Sequence, residues 1–237
     1  MDHMGNDGTH EGGTESRTYT SLNSLYLPIF REFFCEGRAE DDDVVRSVLN
    51  TVALAAEPLS PSAIATLTDI PYDQVQRVLQ SVQPLLEYSE GPDRPVQFFH
   101  KSLSDFIAEM GFHTSPDYQT KLVLSCLKLM NRALRRDMFS IPEYVLNSEV
   151  EDLQKRIEES GVRGALEYAC KSWYKHLTAT TDRPADVISA LHHFLELKFP
   201  FWLEVLSAID AVDDAIRALE AIVRWLDEVC PDRRLDF

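Results

Sequence analysis

Few residues in this chain have a type and spacing that could do chemistry, and His100 heads them. It follows an extended apolar run (Val96, Phe98, Phe99) and precedes a helical pattern of Leu103, Phe106, Ile107 and Met110. An imidazole at such a junction can serve as base or ligand, or hold the corner by hydrogen bonding. Ser102 is the expected N-cap of the helix, and Asp105 three residues on makes a weak capping box. That role takes both out of any catalytic triad.

The other titratable groups point less clearly to a site. His176 follows Trp173 and Tyr174 at the expected end of a helix, where a cation suits the dipole. His192 and His193 are adjacent, so their rings leave a helix on different faces, one on the surface and one half buried. Lys128, Arg132, Arg135 and Arg136 form the one basic cluster, with the acids of residues 149–159 as expected partners. Paired acids such as Glu158-Glu159 and Asp213-Asp214 read as solvated helix faces in a chain with 39 Asp and Glu. The four cysteines, Cys35, Cys126, Cys170 and Cys230, lack C-x-x-C spacing. Reduced, mostly buried thiols are expected, with no metal. No G-x-x-x-x-G-K-[ST] loop, H-E-x-x-H or G-x-S-x-G occurs, so neither a nucleotide cradle nor a hydrolase signature is present. A hydrolase built on His100 or His176 would lack a nucleophile and an orienting acid at a diagnostic spacing.

The elements that must position these residues follow from periodicity. A chain of 237 residues, 44% hydrophobic, can build one large or two small cores. Met1 to Thr20 are polar and glycine-rich and read as disordered. Tyr19 to Phe34 carries an apolar helical stripe that can pack as an arm on the next unit or on an upstream domain. Acids at 40–43 precede a helix with Val45, Val48, Leu49, Val52 and Ala56 on one face, stopped by Pro58. Ser60 as N-cap, Pro61 at N1 and a Leu59–Ile64 staple start a short helix ending near Asp69. A third runs from Tyr72 to Gln83 through Val75, Val78, Leu79 and Val82. Strands over residues 85–89 and 95–99 flank a Gly-Pro turn. Three helices followed by a hairpin is the winged-helix order.

Beyond Ser115-Pro116, an expected cap, the pattern is all helical. One stripe holds Leu122, Cys126, Leu129, Met130 and Ala133. A capping box of Ser148 and Glu151 opens the next helix, which Gly161 stops. Leu166, Ala169, Cys170, Trp173 and Leu177 form another stripe. A helix from Asp182 and Pro184 carries Val187, Ile188, Leu191, Phe194 and Leu195. Trp202, Leu203, Leu206 and Ile209 make a short one. Ile216, Leu219, Ile222, Val223 and Leu226 make the last.

The formal charge of −16 opposes phosphate backbones. Arg46, Arg77, Arg94 and Lys101 are outnumbered by acids between Asp43 and Met110, and the groove-entering helix would offer only Arg77. A nucleic-acid-binding winged helix is therefore the alternative reading, with a protein-packing one ahead of it. No apolar run reaches the length of a membrane span, and no signal peptide is evident. The cytoplasm is the expected location.

Several stretches, in order, resemble one family: Leu22-Asn-Ser-Leu-Tyr26, Glu57-Pro-Leu-Ser60, Phe99-His-Lys-Ser-Leu-Ser-Asp-Phe106, Cys126-Leu-Lys-Leu-Met-Asn131, Glu149-Val-Glu-Asp-Leu153, Tyr168-Ala-Cys-Lys-Ser-Trp173 with His176-Leu177, and Phe201-Trp-Leu-Glu-Val-Leu-Ser207. They are similar to the region after the NACHT domain in fungal STAND ATPases, relatives of NOD-like receptors that often end in WD40 repeats. The resemblance implies a mainly α fold: an N-terminal segment over 1–20, a helical arm and winged-helix domain over 21–110, and an α-helical bundle or solenoid over 111–237. It implies a non-enzymatic regulatory and protein-interaction module, as a fragment or a truncated paralogue. Its partner would be a protein such as a NACHT domain, in cis or in trans, and not nucleic acid or membrane. In the animal relatives a winged-helix histidine in a Phe-x-His-x-[Ser/Thr]-Phe-like stretch meets the β-phosphate of ADP, and His100 matches that position. Walker motifs and a WD40 array are absent from this sequence. No cofactor of its own is expected, and His100 is expected to be hydrogen-bonded at the junction.

Overall fold

The computed structural model describes residues 39–87, 93–109, 117–142, 145–180 and 184–229, with Tyr26, Pro28 and Gly91. The expectations for residues 1–20, for the caps at Ser115-Pro116 and Asp182, and for most of the Tyr19–Phe34 arm fall outside them. The fold is mainly helical among the described residues, with one two-stranded sheet. Among the described residues no helix is long and apolar enough to cross a membrane.

Helix α1 spans Ala39–Leu54. The acids expected ahead of it lie inside its first turns, still near the positive end of the dipole. It buries Val48, Leu49 and Val52 and ends before Ala56, which is exposed. The chain must be extended by Leu59, where Val96 N–H donates to the Leu59 carbonyl at 2.8 Å. The helix ends at Leu54, four residues before Pro58, whose missing N–H could not continue it.

Helix α2 (Pro61–Thr68) starts as its sequence dictates. Ser60 Oγ accepts from Ala63 N–H at 3.2 Å, Pro61 is in the first turn, and Leu59 and Ile64 are both buried. Asp69 closes it in the left-handed region, φ 58°. Ser60→Ala is expected to cost about 1 kcal/mol, and Ser60→Asp to recover most of it. Urea unfolding of the two variants checks this; equal losses would remove the cap as the cause.

Helix α3 (Tyr72–Ser81) buries Val75, Val78 and Leu79. It stops short of Gln83 because Pro84 lies in a 3-10 turn, Gln83–Leu85. Leu85 belongs to that turn, although its carbonyl still accepts from Phe99 N–H at 3.3 Å; β1 is Leu86–Glu87, and β2, shorter than expected, is Gln97–Phe98. They are antiparallel, with Leu86 opposite Phe98. Helix α4 (Lys101–Glu109) leaves the hairpin at once and buries Leu103, Phe106 and Ile107.

Helix α5 (Asp117–Ala133) packs against α7 (Ala165–Thr178) and α8 (Ala185–Leu197). Between α5 and α7, a 3-10 turn at Asn147–Glu149 precedes the short α6 (Leu153–Glu159). The cap here differs from the expected Ser148–Glu151 box. Glu149 Oε2 accepts from Leu146 N–H at 3.1 Å, and Ser148 lies inside the 3-10 turn. Gly161 follows α6 with φ 75°, a left-handed stop that favours glycine. Helices α9 (Phe199–Ala208) and α10 (Val212–Val229) complete the fold, with α10 against α7 and α9.

One continuous apolar core runs from Val48 to Trp225. Its densest part is aromatic: Trp173, Phe194 and Trp202 meet edge to face with centroids 5.3–6.1 Å apart. On α8 and α10, five expected core positions lie outside it. Ile188 is exposed on α8, and four of the five apolar residues expected to bury α10 are exposed; only Ile222 is buried. Helix α10 instead buries Ala215, Ala218, Ala221, Ile222 and Trp225. Small residues let the helix axis come close to its neighbours, and Trp225 Nε1 donates to Thr180 Oγ1 at 3.3 Å.

Candidate functional site

His100 occupies the turn between β2 and α4, but the corner is built differently from expectation. Ser102 does not cap the helix; it is the second residue inside it. His100 itself is the cap. Its Nδ1 accepts from Ser102 N–H at 3.1 Å and lies 2.8 Å from Ser102 Oγ, while its carbonyl accepts from Leu103 N–H at 3.0 Å. The imidazole satisfies an orphan donor of the first turn, as an Asn or Asp oxygen does elsewhere. Ser102 Oγ is also 3.4 Å from Tyr26 OH, and the Tyr26 ring packs on Phe106 with centroids 5.4 Å apart. At Tyr26, then, the arm lies on α4.

With Nδ1 accepting, the ring carries its hydrogen on Nε2, which has no hydrogen-bond partner among the described residues. The His100 side chain is exposed, and the neighbouring Phe99 is 66% exposed. The junction therefore offers one N–H donor beside an uncovered aromatic ring. Among the described residues no carboxylate hydrogen-bonds the ring, and the hydroxyl beside it is Ser102 Oγ, 2.8 Å from Nδ1.

His176 is also placed differently from expectation. It lies in the last turn of α7, yet it is buried and uncharged and is not a helix-end cation. Ala56 N–H donates to Tyr168 OH at 3.1 Å, Tyr168 OH donates to His176 Nε2 at 2.7 Å, and His176 Nδ1–H donates to Gln119 Oε1 at 2.8 Å. Gln119 Oε1 can only accept, which puts the hydrogen on Nδ1. Nε2 is then the acceptor for the tyrosine proton. Burial, and next the Lys175 charge, lower the His176 pKa to about 4. Burial likewise raises Tyr168 far above the usual phenol range. These groups tie the loop after α1 to α5 and α7. Glu57 strengthens the tie by accepting from Lys171 at 3.0 Å and Lys175 at 3.4 Å.

A groove of about 520 Å³ opens beside this seam, lined by Ser60, by Ser62 and Thr66 of α2 and by Arg163, Tyr168 and Lys171. Its cations are engaged: Lys171 with Glu57, and Arg163 with Glu167 and Gln154. Among the described residues no three His, Cys, Asp or Glu side chains converge as metal ligands. The described thiols, Cys126 and Cys170, are free and buried, and burial pushes Cys126 up to about 12, so neither is a ready nucleophile.

Three further expectations are corrected or narrowed. The basic cluster does not pair with the acids of 149–159 through Lys128, Arg132 or Arg135. Two of those acids pair locally, Asp152 with Arg156 and Glu159 with Lys155, because i,i+4 partners lie nearer. His192 and His193 are both exposed, and His192 Nδ1 lies 3.3 Å from Glu196 Oε2. On α3, Arg77 is paired with Asp73 at 3.4 Å, which takes up that helix's one cation.

No family model matches the chain, and no solved structure matches it. Among curated proteins it is 23% identical to the vegetative incompatibility protein HET-E-1 of Podospora anserina over 231 aligned residues. The match takes in 85% of this chain but 16% of that protein, so the chain spans about a sixth of the length of its relative. HET-E-1 is a fungal NACHT and WD-repeat protein, and a NACHT-related relationship is what the match supports.

Proposed function

We propose that this chain is a non-catalytic regulatory module of the STAND type. Residues 21–110 form a helical arm and a winged-helix domain, residues 111–237 a helical domain, and the two dock on a NACHT nucleotide-binding domain in cis or in trans, in the cytoplasm. The observation that carries this reading is the His100 junction. Nδ1 is consumed by the helix cap, while the Nε2–H donor and Phe99 stay uncovered. That is the arrangement needed to offer one N–H to a phosphate held by another domain. The match to part of a much longer NACHT protein supports the same reading, as does the order of three helices and a hairpin in α1–α3 and β1–β2. The buried, neutral state of His176 and the thiols supports a non-catalytic role. The charge balance and the Asp73–Arg77 pair speak against duplex DNA as the partner.

Titration calorimetry against the recombinant NACHT domain of HET-E-1 tests this. Saturable binding is expected to be tighter with ADP than with a non-hydrolysable ATP analogue. His100→Asn keeps a capping oxygen but loses the reach of Nε2, and is expected to lose about tenfold of the ADP-state affinity, the size of one charge-assisted hydrogen bond. No binding in either state, or an unchanged His100→Asn affinity, would overturn the proposal. ADP alone is expected to show no micromolar binding to the chain, which supplies one donor and no cradle.

A further inference from the structure

The outer face of α10 carries an apolar stripe with no cover among the described residues. Val212, Ile216, Leu219, Val223 and Leu226 are 40–57% exposed. Their spacing alternates four and three, the repeat of a coiled-coil seam, with Ile216 and Val223 at a and Val212, Leu219 and Leu226 at d. The helix beneath is firmly held. Trp225 and the alanine face are buried, and Asp214 accepts from Tyr174 OH and from Arg217, both at 3.2 Å.

The flanks of the stripe differ. The a side is bordered by Asp213, Glu220 and Asp227, spaced by sevens and all exposed. The d side is bordered by Ala215 and Ile222, which are already buried. Arg217 and Arg224 lie one row beyond the acids. Arg217 is paired with Asp214, and Arg224 Nε donates to the Glu220 carbonyl at 3.4 Å. The row of charge nearest the seam is therefore acidic along its whole length.

We infer that α10 is a docking helix for an amphipathic helix with a heptad apolar stripe and a basic flank. The three-four spacing selects a helix as the occupant, and the acidic row selects the sign of its flank. A second copy of this chain fits poorly. An antiparallel pair centred on Glu220 would set Asp213 against Asp227 and Glu220 against its own copy. A parallel pair would set the acids against a row buried in the core. The inference uses a different surface from the His100 junction and stands or falls independently of it.

Fluorescence anisotropy with a labelled peptide of about three heptads, Leu and Ile at a and d, tests it on the full chain. With Lys on both flanks, saturable binding is expected at low ionic strength. With Glu on both flanks, binding should be about tenfold weaker, the scale of a few exposed charge pairs plus relief of like-charge contacts. Leu219→Asp, at an exposed position, should abolish binding without changing the far-ultraviolet dichroism. Combining Asp213→Lys, Glu220→Lys and Asp227→Lys should reverse the preference between the peptides. Equal binding of both peptides, or binding that survives Leu219→Asp, would overturn the proposal. So would a wild-type dimer in sedimentation that Leu219→Asp converts to monomer, because the occupant would then be a second copy.

Discussion

Trp202→Ala is expected to destabilise the chain by about 3–5 kcal/mol, a large share of the stability of an ordinary domain. Trp202 is fully buried where α7, α8 and α9 meet. Its ring lies against Trp173, Phe194 and Phe199 with centroids 5.6–6.1 Å apart. Removing it opens a cavity among three rings that are themselves fixed by helix packing, so little collapse can offset the loss. The indole also does polar work. Trp202 Nε1 donates to the Cys170 carbonyl at 2.9 Å, whereas the neighbouring Trp173 Nε1 has no hydrogen-bond partner. A sharper contrast follows between the two phenylalanine variants. Trp202→Phe loses the indole bond to a carbonyl that keeps its helical partner in α7, and should cost about 0.5–1.5 kcal/mol on that account. Trp173→Phe removes an unsatisfied donor and should cost less than Trp202→Phe. Urea unfolding of all three variants decides it. A Trp202→Ala loss below about 1 kcal/mol, or the reverse order of the phenylalanine variants, would contradict this account of the core.

What the residues reveal without a structure depends on the range of the interaction. Ser60, Pro61 and Leu59 set the start of α2 by contacts within five residues, and that start is legible in the sequence. Glu149 reaching back to Leu146 is equally local, but Ser148 and Glu151 spell a competing box two residues along, and composition alone does not choose between them. His100 is legible as the residue at the corner. Its capping role is not, because histidine is a rare cap and Ser102 looks the better one. Helix α10 shows what periodicity leaves open. It has two apolar faces, one of large residues and one of alanines with Trp225, and the period is the same for both. Close approach to α7 and α9 favours the small face, a choice that only the tertiary fold makes. The same limit applies to His176: its place in the last turn of a helix suggests a cation, and burial makes it neutral.

Acidification is expected to weaken the fold through His176 before most carboxylates titrate. The ring is 2% exposed and spends both nitrogens on hydrogen bonds, Nε2 as acceptor from Tyr168 and Nδ1–H as donor to Gln119. A second proton would have to sit on Nε2, where it would meet the tyrosine oxygen, in a buried site and with Lys175 adding its repulsion. The folded chain therefore takes up that proton only near pH 4, against about 6.5 when unfolded. Between those values the unfolded state binds more protons, so stability rises with pH across the window. The contribution is complete above pH 6.5, declines as pH falls towards 4, and is lost below it; the difference amounts to roughly 3 kcal/mol. Urea midpoints at pH 7.5, 5.5 and 4.5 should fall in the wild type. In His176→Gln, less stable at neutral pH but with nothing to protonate at this position, the slope over the same range should be shallower. Parallel slopes would assign the acid sensitivity to other groups. Because the relay begins at Ala56 and ends on α5, its failure should also loosen the seam between the α1–α4 segment and the later helices. The protection factor of the Ala56 amide is expected to fall between pH 7.5 and 4.5 in the wild type by more than those of the α9 amides.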